Sequence, residues 1–144
     1  MPEALFTRVL QIALVVRDLD ASLQVYEERY GLGPWQVHDV DPAADWDEPS
    51  HGRRAAQPFR VARTELDGIG WELIQPLSDH GTYAAFLRTH GEGVHHVSFD
   101  TPLPLDRVVA AAPGVLQGGS VHGLTHVYLD TAAELGVIVE VYDH

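Results

Sequence analysis

The sequence predicts an α+β domain built from two copies of a βαβββ unit, and three observations indicate it. Hydrophobic periodicity gives the order strand, helix and three strands in each half of the chain. Residues 11–14 have the same place in the first half as residues 96–99 in the second, and 71–74 match 139–142 in the same way. A length of 144 residues is that of one domain, so we expect a single domain over residues 1–144.

The first copy begins with residues 8–16, whose apolar and β-branched side chains predict a buried strand. Apolar side chains at helical spacing over residues 19–30 predict a helix, because aspartates precede them and Gly31 follows. The pair Asp67-Gly68 is a hairpin signal. The other strands of this copy are predicted at residues 35–40, 59–66 and 70–75.

Residues 39–58 are rich in Pro, Asp and Gly, and they are long for a loop in a compact domain. We interpret this segment as a lid or a binding loop. The alternative is a disordered surface excursion.

The second copy follows a short linking helix at residues 82–88. Polar and apolar side chains alternate over residues 96–100, so His96 faces away from the apolar side of its strand. The later elements are a helix at 105–112 and strands at 115–117, 122–130 and 137–142. The two modules therefore cover about residues 8–76 and 94–142.

Composition excludes several classes of protein. The formal net charge of −12 argues against nucleic acid and anionic membranes, since phosphate contacts need a basic surface. The N-terminal apolar run is too short for a membrane span, and we expect a cytoplasmic location. The absence of cysteine means that any metal site must use imidazole, carboxylate or amide groups.

The positive charges are all arginines, and four of the nine fall within residues 53–63. This cluster is a candidate for contact with an anionic substrate group, despite the overall negative charge. The alternative is a solvated loop that balances the acidic run at residues 39–48.

Strand periodicity places polar side chains on the face opposite the helices, and four of them are candidate metal ligands: Gln11, Glu72, His96 and Glu140. Burying an unpaired carboxylate costs several kcal/mol, and a divalent cation removes that cost for both glutamates. The alternative is that each glutamate pairs with an arginine, with Arg63 the obvious partner, and that His96 is only hydrogen-bonded. His95 has the opposite parity, which predicts a structural role.

Four segments carry a resemblance to a known family: VVRDLDA at 15–21, WELIQPL at 71–77, GEGVHHV at 91–97 and GVIVEV at 136–141. With them the sequence resembles, over nearly its whole length, the vicinal oxygen chelate superfamily, which includes glyoxalase I, methylmalonyl-CoA epimerase, extradiol dioxygenases and bleomycin-resistance proteins. The resemblance implies paired βαβββ modules that form a half-barrel cup, and a homodimer.

The family's ligand positions fall on Gln11, Glu72, His96 and Glu140, which implies a divalent metal ion: Zn, Co, Ni, Mn or Fe. The first position is usually histidine, but a Gln, Glu, His, Glu set resembles that of some glyoxalase I enzymes. Dioxygenase chemistry is disfavoured, because only one histidine stands at a ligand position. The base that epimerases place on the hairpin strand has no clear match, and Glu65 is the nearest glutamate.

The resemblance implies proton transfer next to a carbonyl group, in a metal-dependent lyase or isomerase acting on a small-molecule substrate. Glu140 is the first candidate for the base and Glu72 the second, because charge then only moves towards the cation. We expect substrate contacts from Arg63, His126 and Tyr142, although an exposed-edge position for His126 is equally compatible with the pattern. Further aromatic candidates for the pocket are Trp35, Trp46, Tyr128 and Trp71, with Trp71 expected in the core.

The alternative function is a metal-free protein that binds an antibiotic or an aromatic metabolite between aromatic walls, as in drug resistance. Gln11 and the aromatic residues favour this reading, whereas the three ionisable ligand candidates favour the enzyme.

Overall fold

The computed structural model describes residues 1–52 and 56–143, with residues 48–52 described by their backbone alone. It confirms the predicted fold class, an α+β half-barrel. The elements of the first half are β1 (Arg8–Val15), α1 (Leu19–Gln24), β2 (Gln36–Val40), α2 (Pro42–Asp45), β3 (Glu48–Gly52), β4 (Phe59–Leu66) and β5 (Ile69–Pro76). Those of the second are α3 (Thr82–His90), β6 (Gly93–Asp100), α4 (Leu105–Ala111), β7 (Val115–Val121), β8 (Leu124–Leu129), α5 (Ala132–Leu135) and β9 (Ile138–Asp143).

The strands form one nine-stranded sheet in the order β2-β4-β5-β1-β6-β9-β8-β7-β3. The first strand of each half lies at the centre, where β1 and β6 pair antiparallel. Each of these strands also pairs in parallel with the last strand of its own half, β1 with β5 and β6 with β9. The order on one side of the β1–β6 seam therefore mirrors the order on the other, apart from β3 at the far edge.

Local sequence explains where the first helix and the hairpin form. The side chain of Asp18 accepts a hydrogen bond from the backbone of Ala21 and caps α1. A π-helical turn, Val25–Arg29, continues the helix. Asp67 and Gly68 both have positive φ, 52° and 81°, which matches the twist of a two-residue hairpin between β4 and β5.

The two faces of the sheet bury different sets of side chains. On the outer face, Leu73 packs with Leu19 under α1, and Val139 and Val141 pack with Val108 of α4. On the inner face, the helix α3 contributes Tyr83 to a cluster of strand residues: Ala13, Val15, Phe59, Val61, Ile74 and Tyr128. The alternation predicted for β5 and β9 is therefore confirmed, since the neighbours of Glu72 and Glu140 pack outward.

Two predicted boundaries are wrong. Residues 39–58 were expected to be a loop, but they include the end of β2, the short helix α2 and β3, which pairs with β7 at the far edge of the other half. His122 was expected in a strand, but it lies with Gly123 in the turn between β7 and β8, both with positive φ. No helix in the described residues has the length and hydropathy to span a bilayer.

Candidate active site

The inner face of the sheet surrounds a cavity of about 680 Å³ that both halves of the chain line. Gln11, Glu72 and Glu140 line it from the central strands. The β2–α2 segment also contributes to the wall, including Trp46. Part of the segment predicted to be a lid or a binding loop therefore borders this cavity.

Strand register brings the four candidate ligands to one region. Ala13 of β1 pairs with Glu72 on one side and with His96 on the other. One step along the same face, Gln11 pairs with Ser98, which in turn pairs with Glu140. The four ligand candidates therefore occupy two adjacent rows across β5, β1, β6 and β9, on the inner face.

Glu140 is buried, with 4% of its surface exposed, and is hydrogen-bonded. The hydroxyl of Tyr142 donates to Oε1 of Glu140 at 2.7 Å, and the hydroxyl of Ser98 donates to the same oxygen. Nε2 of His96 lies 3.5 Å from this oxygen. Two hydroxyl groups and one imidazole nitrogen therefore surround a single carboxylate oxygen of Glu140.

Glu72 is half-buried and has no hydrogen bond or ion pair among the described residues. Burial raises the pKa of Glu72 to about 8, with a further increase from the charge of Glu140, whereas Arg63 lowers it. The alternative to a metal site was an ion pair between Glu72 and Arg63. The described residues contain no such pair within 4 Å. Arg63 therefore acts on Glu72 only at longer range.

His96 is 1% exposed, and its side chain is hydrogen-bonded to that of His95. Nδ1 of His96 lies 2.9 Å from Nδ1 of His95, while Nε2 of each ring is buried without a hydrogen-bond partner. Burial is the main cause that lowers the pKa of His96 to about 3, and His126 adds to it. Both imidazoles are therefore neutral near pH 7, since burial also lowers the pKa of His95.

A β-bulge explains why His95 lies beside His96 and not on the opposite face. Ala13 pairs with His96, but Leu14 pairs with Val94, so His95 has no partner on β1. The ring of His95 instead packs among Tyr83, Phe86 and Tyr128. Strand alternation does not predict this contact, because the bulge interrupts the ladder between β1 and β6.

The donor set fits a divalent cation in its chemistry. Nε2 of His96 is a buried nitrogen without a hydrogen-bond partner among the described residues, and the charge of Glu140 contributes to the raised pKa of Glu72. Yet no group of three or more His, Asp or Glu side chains among residues 1–52 and 56–143 is arranged to hold a metal ion. Joint ligation by Glu72, His96 and Glu140 therefore requires side-chain movement from these positions.

Arg63 lies on the cavity wall next to Gln11. A Cβ atom at Gly70 would lie 3.1 Å from Nη2 of Arg63 and 3.3 Å from Oε1 of Gln11, so both side chains fold over this glycine. Arg63 is exposed and has no ion pair among the described residues. Within the predicted arginine cluster, Arg60 pairs with Asp20 and Asp39, and residues 53 and 54 lie outside the described part.

His126 is buried on β8 and lines the cavity, so it does not lie at an exposed edge. Its ring makes an edge contact with Trp46, with centroids 4.8 Å apart. Burial lowers the pKa of His126, and the nearby charge of Glu140 opposes this shift. Gly119 makes the contact possible, because a Cβ there would lie 2.3 Å from the Trp46 ring.

The aromatic wall of the cavity differs from the predicted one. Trp46, Tyr128 and Tyr142 line it as expected, together with Phe59 and Tyr83, which the sequence pattern did not single out. Trp35 instead packs with Trp71 on the outer face, where Trp71 donates to the hydroxyl of Tyr26 at 3.1 Å. The prediction for Trp71 is confirmed and that for Trp35 is wrong.

Glu65 does not border this cavity. It is exposed and lines a separate depression with Trp35 and Pro34. The main cavity therefore contains no counterpart of the hairpin-strand base at this position.

Sequence comparison gives the family. The Glyoxalase/Bleomycin resistance protein/Dioxygenase superfamily matches residues 10–119, which is more than half of the chain, so the protein belongs to this superfamily. No curated protein matches the sequence.

Solved structures share the fold. A hypothetical protein from Bacillus halodurans C-125 has a TM-score of 0.67 and 19% identity, covering 95% of this chain and 94% of that chain. A variant of the Streptomyces coelicolor methylmalonyl-CoA epimerase, in complex with 2-nitronate-propionyl-CoA, has a TM-score of 0.64, 23% identity and coverage of 95% and 94%. The Mycobacterium tuberculosis methylmalonyl-CoA epimerase has a TM-score of 0.63, 16% identity and coverage of 99% and 91%. At these identities the likeness shows the fold alone.

Proposed function

We propose that the protein is a divalent-metal-dependent lyase or isomerase of the glyoxalase or epimerase type, which transfers a proton next to a carbonyl group of a small metabolite. One observation carries the proposal: the buried Nε2 of His96, which has no hydrogen-bond partner among the described residues, lies beside the carboxylate of Glu140, and Glu72 and Glu140 line one cavity. Membership of the superfamily supports it, because members commonly use divalent metals.

In this proposal Gln11, Glu72, His96 and Glu140 hold the ion. When bound, a divalent cation supplies the positive charge that polarises a carbonyl group and stabilises negative charge as the neighbouring carbon loses a proton. One imidazole and three oxygen donors suit Zn, Co, Ni, Mn or Fe. The cation also removes the repulsion between the two carboxylates, which is one cause of the raised pKa of Glu72.

The proton requires an acceptor at the cavity wall, and the two carboxyl groups differ in their contacts. From the sequence, Glu140 is the first candidate for the base and Glu72 the second. Oε1 of Glu140 already accepts hydrogen bonds from the hydroxyls of Ser98 and Tyr142, which leaves this oxygen less accessible to a substrate proton. Glu72 has no such donor in the described part of the chain, so we propose Glu72 as the proton acceptor and keep Glu140 as the alternative.

The remaining wall supports a substrate with an anionic end and an apolar end. Beside Gln11, Arg63 offers a guanidinium that has no ion pair among residues 1–52 and 56–143 and is suited to bind a carboxylate. Trp46, Phe59 and Val61 offer apolar surface in the same cavity. His126 has no hydrogen bond among the described residues and is available to a substrate polar group.

Metal analysis of protein purified without chelator tests the first part of the proposal. We expect one divalent ion per chain, and we expect Glu72→Ala to lose it. Glu65→Ala is the matched control, because Glu65 is exposed and lies outside the cavity. A wild-type protein that binds no ion when supplied with Zn, Co, Ni, Mn or Fe would contradict metal dependence.

Exchange of substrate hydrogen with solvent deuterium tests the chemistry. In the metal-loaded protein, we expect Glu72→Gln to reduce exchange into small 2-oxo and 2-hydroxy acids by at least about a hundredfold, in the usual range for a general base. Glu140→Gln is measured in parallel and both rates are expressed per bound metal ion, so that the larger loss identifies the base and not a lost ligand. Undiminished exchange in both variants rules out carboxylate catalysis.

A second candidate is metal-free binding of an aromatic metabolite or an antibiotic. The hydrogen bonds from Ser98 and Tyr142 favour it, since they satisfy Glu140 without an ion, and aromatic side chains line the cavity. Tight binding of aromatic ligands in the presence of EDTA, without metal uptake, would support this function over the enzyme.

A homodimer and a cytoplasmic location stay predictions. Light scattering coupled to size-exclusion chromatography tests the first, and a mass of one chain, 15.8 kDa, would contradict it.

A further inference from the structure

We propose that His95 is a positioning residue for His96: their Nδ1 atoms share one proton, so that the tautomer of one ring fixes that of the other. The inference deepens the proposed function and rests on it in one respect, because it takes Nε2 of His96 as a metal ligand. The shared proton itself depends only on contacts within the protein.

The geometry allows a single proton between the two rings. Nδ1 of His95 and Nδ1 of His96 are 2.9 Å apart, and both rings are buried. Neutral imidazole carries one N–H and one unprotonated nitrogen. A hydrogen bond between these atoms therefore requires that one ring is protonated on Nδ1 and the other on Nε2.

The two possible arrangements differ at Nε2 of His96, the nitrogen nearest to Glu140. In the first, His95 donates from Nδ1 and His96 carries its proton on Nε2, directed at the Glu140 carboxylate 3.5 Å away. In the second, His96 donates from Nδ1 and presents a lone pair to that carboxylate. A cation between them makes the second arrangement favourable, whereas its absence favours the first.

Conversion of the first arrangement into the second changes neither the number of protons on the two rings nor their charge. The proton between the rings moves from Nδ1 of His95 to Nδ1 of His96. His96 releases its Nε2 proton to solvent, and His95 gains one from solvent on Nε2. Each ring is therefore neutral in both arrangements.

The surroundings of His95 hold its ring in the orientation that this bond needs. Tyr83, Phe86 and Tyr128 surround it, with ring centroids 5.2, 5.1 and 5.6 Å away. The β-bulge supplies the direction, since it turns the side chain of His95 towards that of His96. His95 thus acts through His96, and it is not itself one of the residues that line the cavity.

Two substitutions separate packing from hydrogen bonding. His95→Phe keeps an aromatic ring among Tyr83, Phe86 and Tyr128 but removes both nitrogens. His95→Asn restores a side-chain amide at about the position of Nδ1. His80→Asn is the control for loss of a histidine, because His80 is exposed.

The experiment has two readouts, ¹⁵N NMR of the histidine tautomers in metal-free protein and calorimetric titration with Zn²⁺. We expect His95 protonated on Nδ1 and His96 on Nε2 without metal, and the reverse with Zn²⁺. We expect His95→Phe to weaken Zn²⁺ binding about 10- to 100-fold, and His95→Asn to restore most of it.

Equal tautomers in the two wild-type rings, or an unchanged Nδ1 signal of His96 in His95→Phe, would overturn the inference. If wild-type protein binds no Zn²⁺, the proposed function fails, and the metal-free NMR measurement still decides the pairing.

Discussion

Oε1 of Glu140 accepts a hydrogen bond of 2.7 Å from the hydroxyl of Tyr142, two residues further along the same strand. Side chains at this spacing share a face of a strand, so the donor and the acceptor both face the cavity. The bond makes Tyr142 part of the support of Glu140, and it competes with the substrate contact predicted for this hydroxyl.

Replacing Tyr142 by Phe removes one donor from a buried carboxylate. We expect the free energy of unfolding to fall by about 1 to 3 kcal/mol, the usual cost of depriving a buried polar group of its hydrogen-bond partner. Chemical denaturation of metal-free protein measures it. Tyr30→Phe is the control, since Tyr30 is 63% exposed and should show no change. Equal stability of both variants would mean that the bond contributes nothing.

The raised pKa of Glu72 predicts how the metal-free protein responds to pH. Folding raises this pKa from 4.5 to about 8, so the folded state favours the protonated acid. Protonated Glu72 therefore contributes its full stabilisation to the folded state below pH 4.5. This stabilisation is lost as the pH rises from 4.5 through about 8. We expect Glu72→Gln to match wild type near pH 4.5 and to be more stable by a few kcal/mol near pH 8, at about 1.4 kcal/mol per pKa unit.

Thermal denaturation in EDTA between pH 4.5 and 9 measures this difference. Glu65→Gln serves as the control, because Glu65 is exposed, and its difference from wild type should not vary with pH. A flat profile for Glu72→Gln would show that Glu72 ionises freely in the folded protein.

Gly119 provides space for Trp46 against β7. A Cβ at this position would lie 2.3 and 2.4 Å from two ring carbons of Trp46, so Gly119→Ala must displace the indole from His126. We expect a shift in tryptophan fluorescence and a loss of about 1 to 3 kcal/mol, as for overpacking. Gly114→Ala is the control, since its nearest neighbour would be 4.0 Å away. An identical emission spectrum would contradict the packing of Trp46.

Arg63 is expected to matter for binding and hardly at all for stability. It is exposed and has no ion pair in the described residues, so Arg63→Gln should change the free energy of unfolding by less than about 0.5 kcal/mol. Affinity for aromatic 2-oxo carboxylates should fall about tenfold or more, the value of a charge-assisted hydrogen bond. Titration followed by tryptophan fluorescence measures it, and equal affinity for wild type and variant would remove Arg63 from the site.

Much of the site geometry followed from strand alternation. Glu72 lies between Trp71 and Leu73, both on the outer face, and Glu140 lies between Val139 and Val141, which pack against α4. Apolar neighbours on both sides fix which way the middle side chain faces, so a local pattern was enough. The duplication then predicted that the central strands of the two halves carry comparable positions.

Features that depend on contacts between distant parts of the chain could not be predicted from the sequence pattern. The inward turn of His95 comes from a bulge against β1, which is more than 80 residues earlier in the chain. The strand β3 forms because β7 offers a free edge some 70 residues later. Neither contact has a local signal, since both depend on where the far partner ends in the folded sheet.

The pairing of β1 with β6 places the seam between the halves directly through the candidate site, with Gln11 and Glu72 on one side and His96 and Glu140 on the other. Any small molecule or ion that contacts both sides therefore links two parts of the chain that would otherwise separate on unfolding. Its binding free energy adds to the resistance of the whole protein to heat, in proportion to the logarithm of its concentration. A melting-temperature screen of metabolites, run with and without each metal, would thus reveal the natural ligand without any prior assay of turnover.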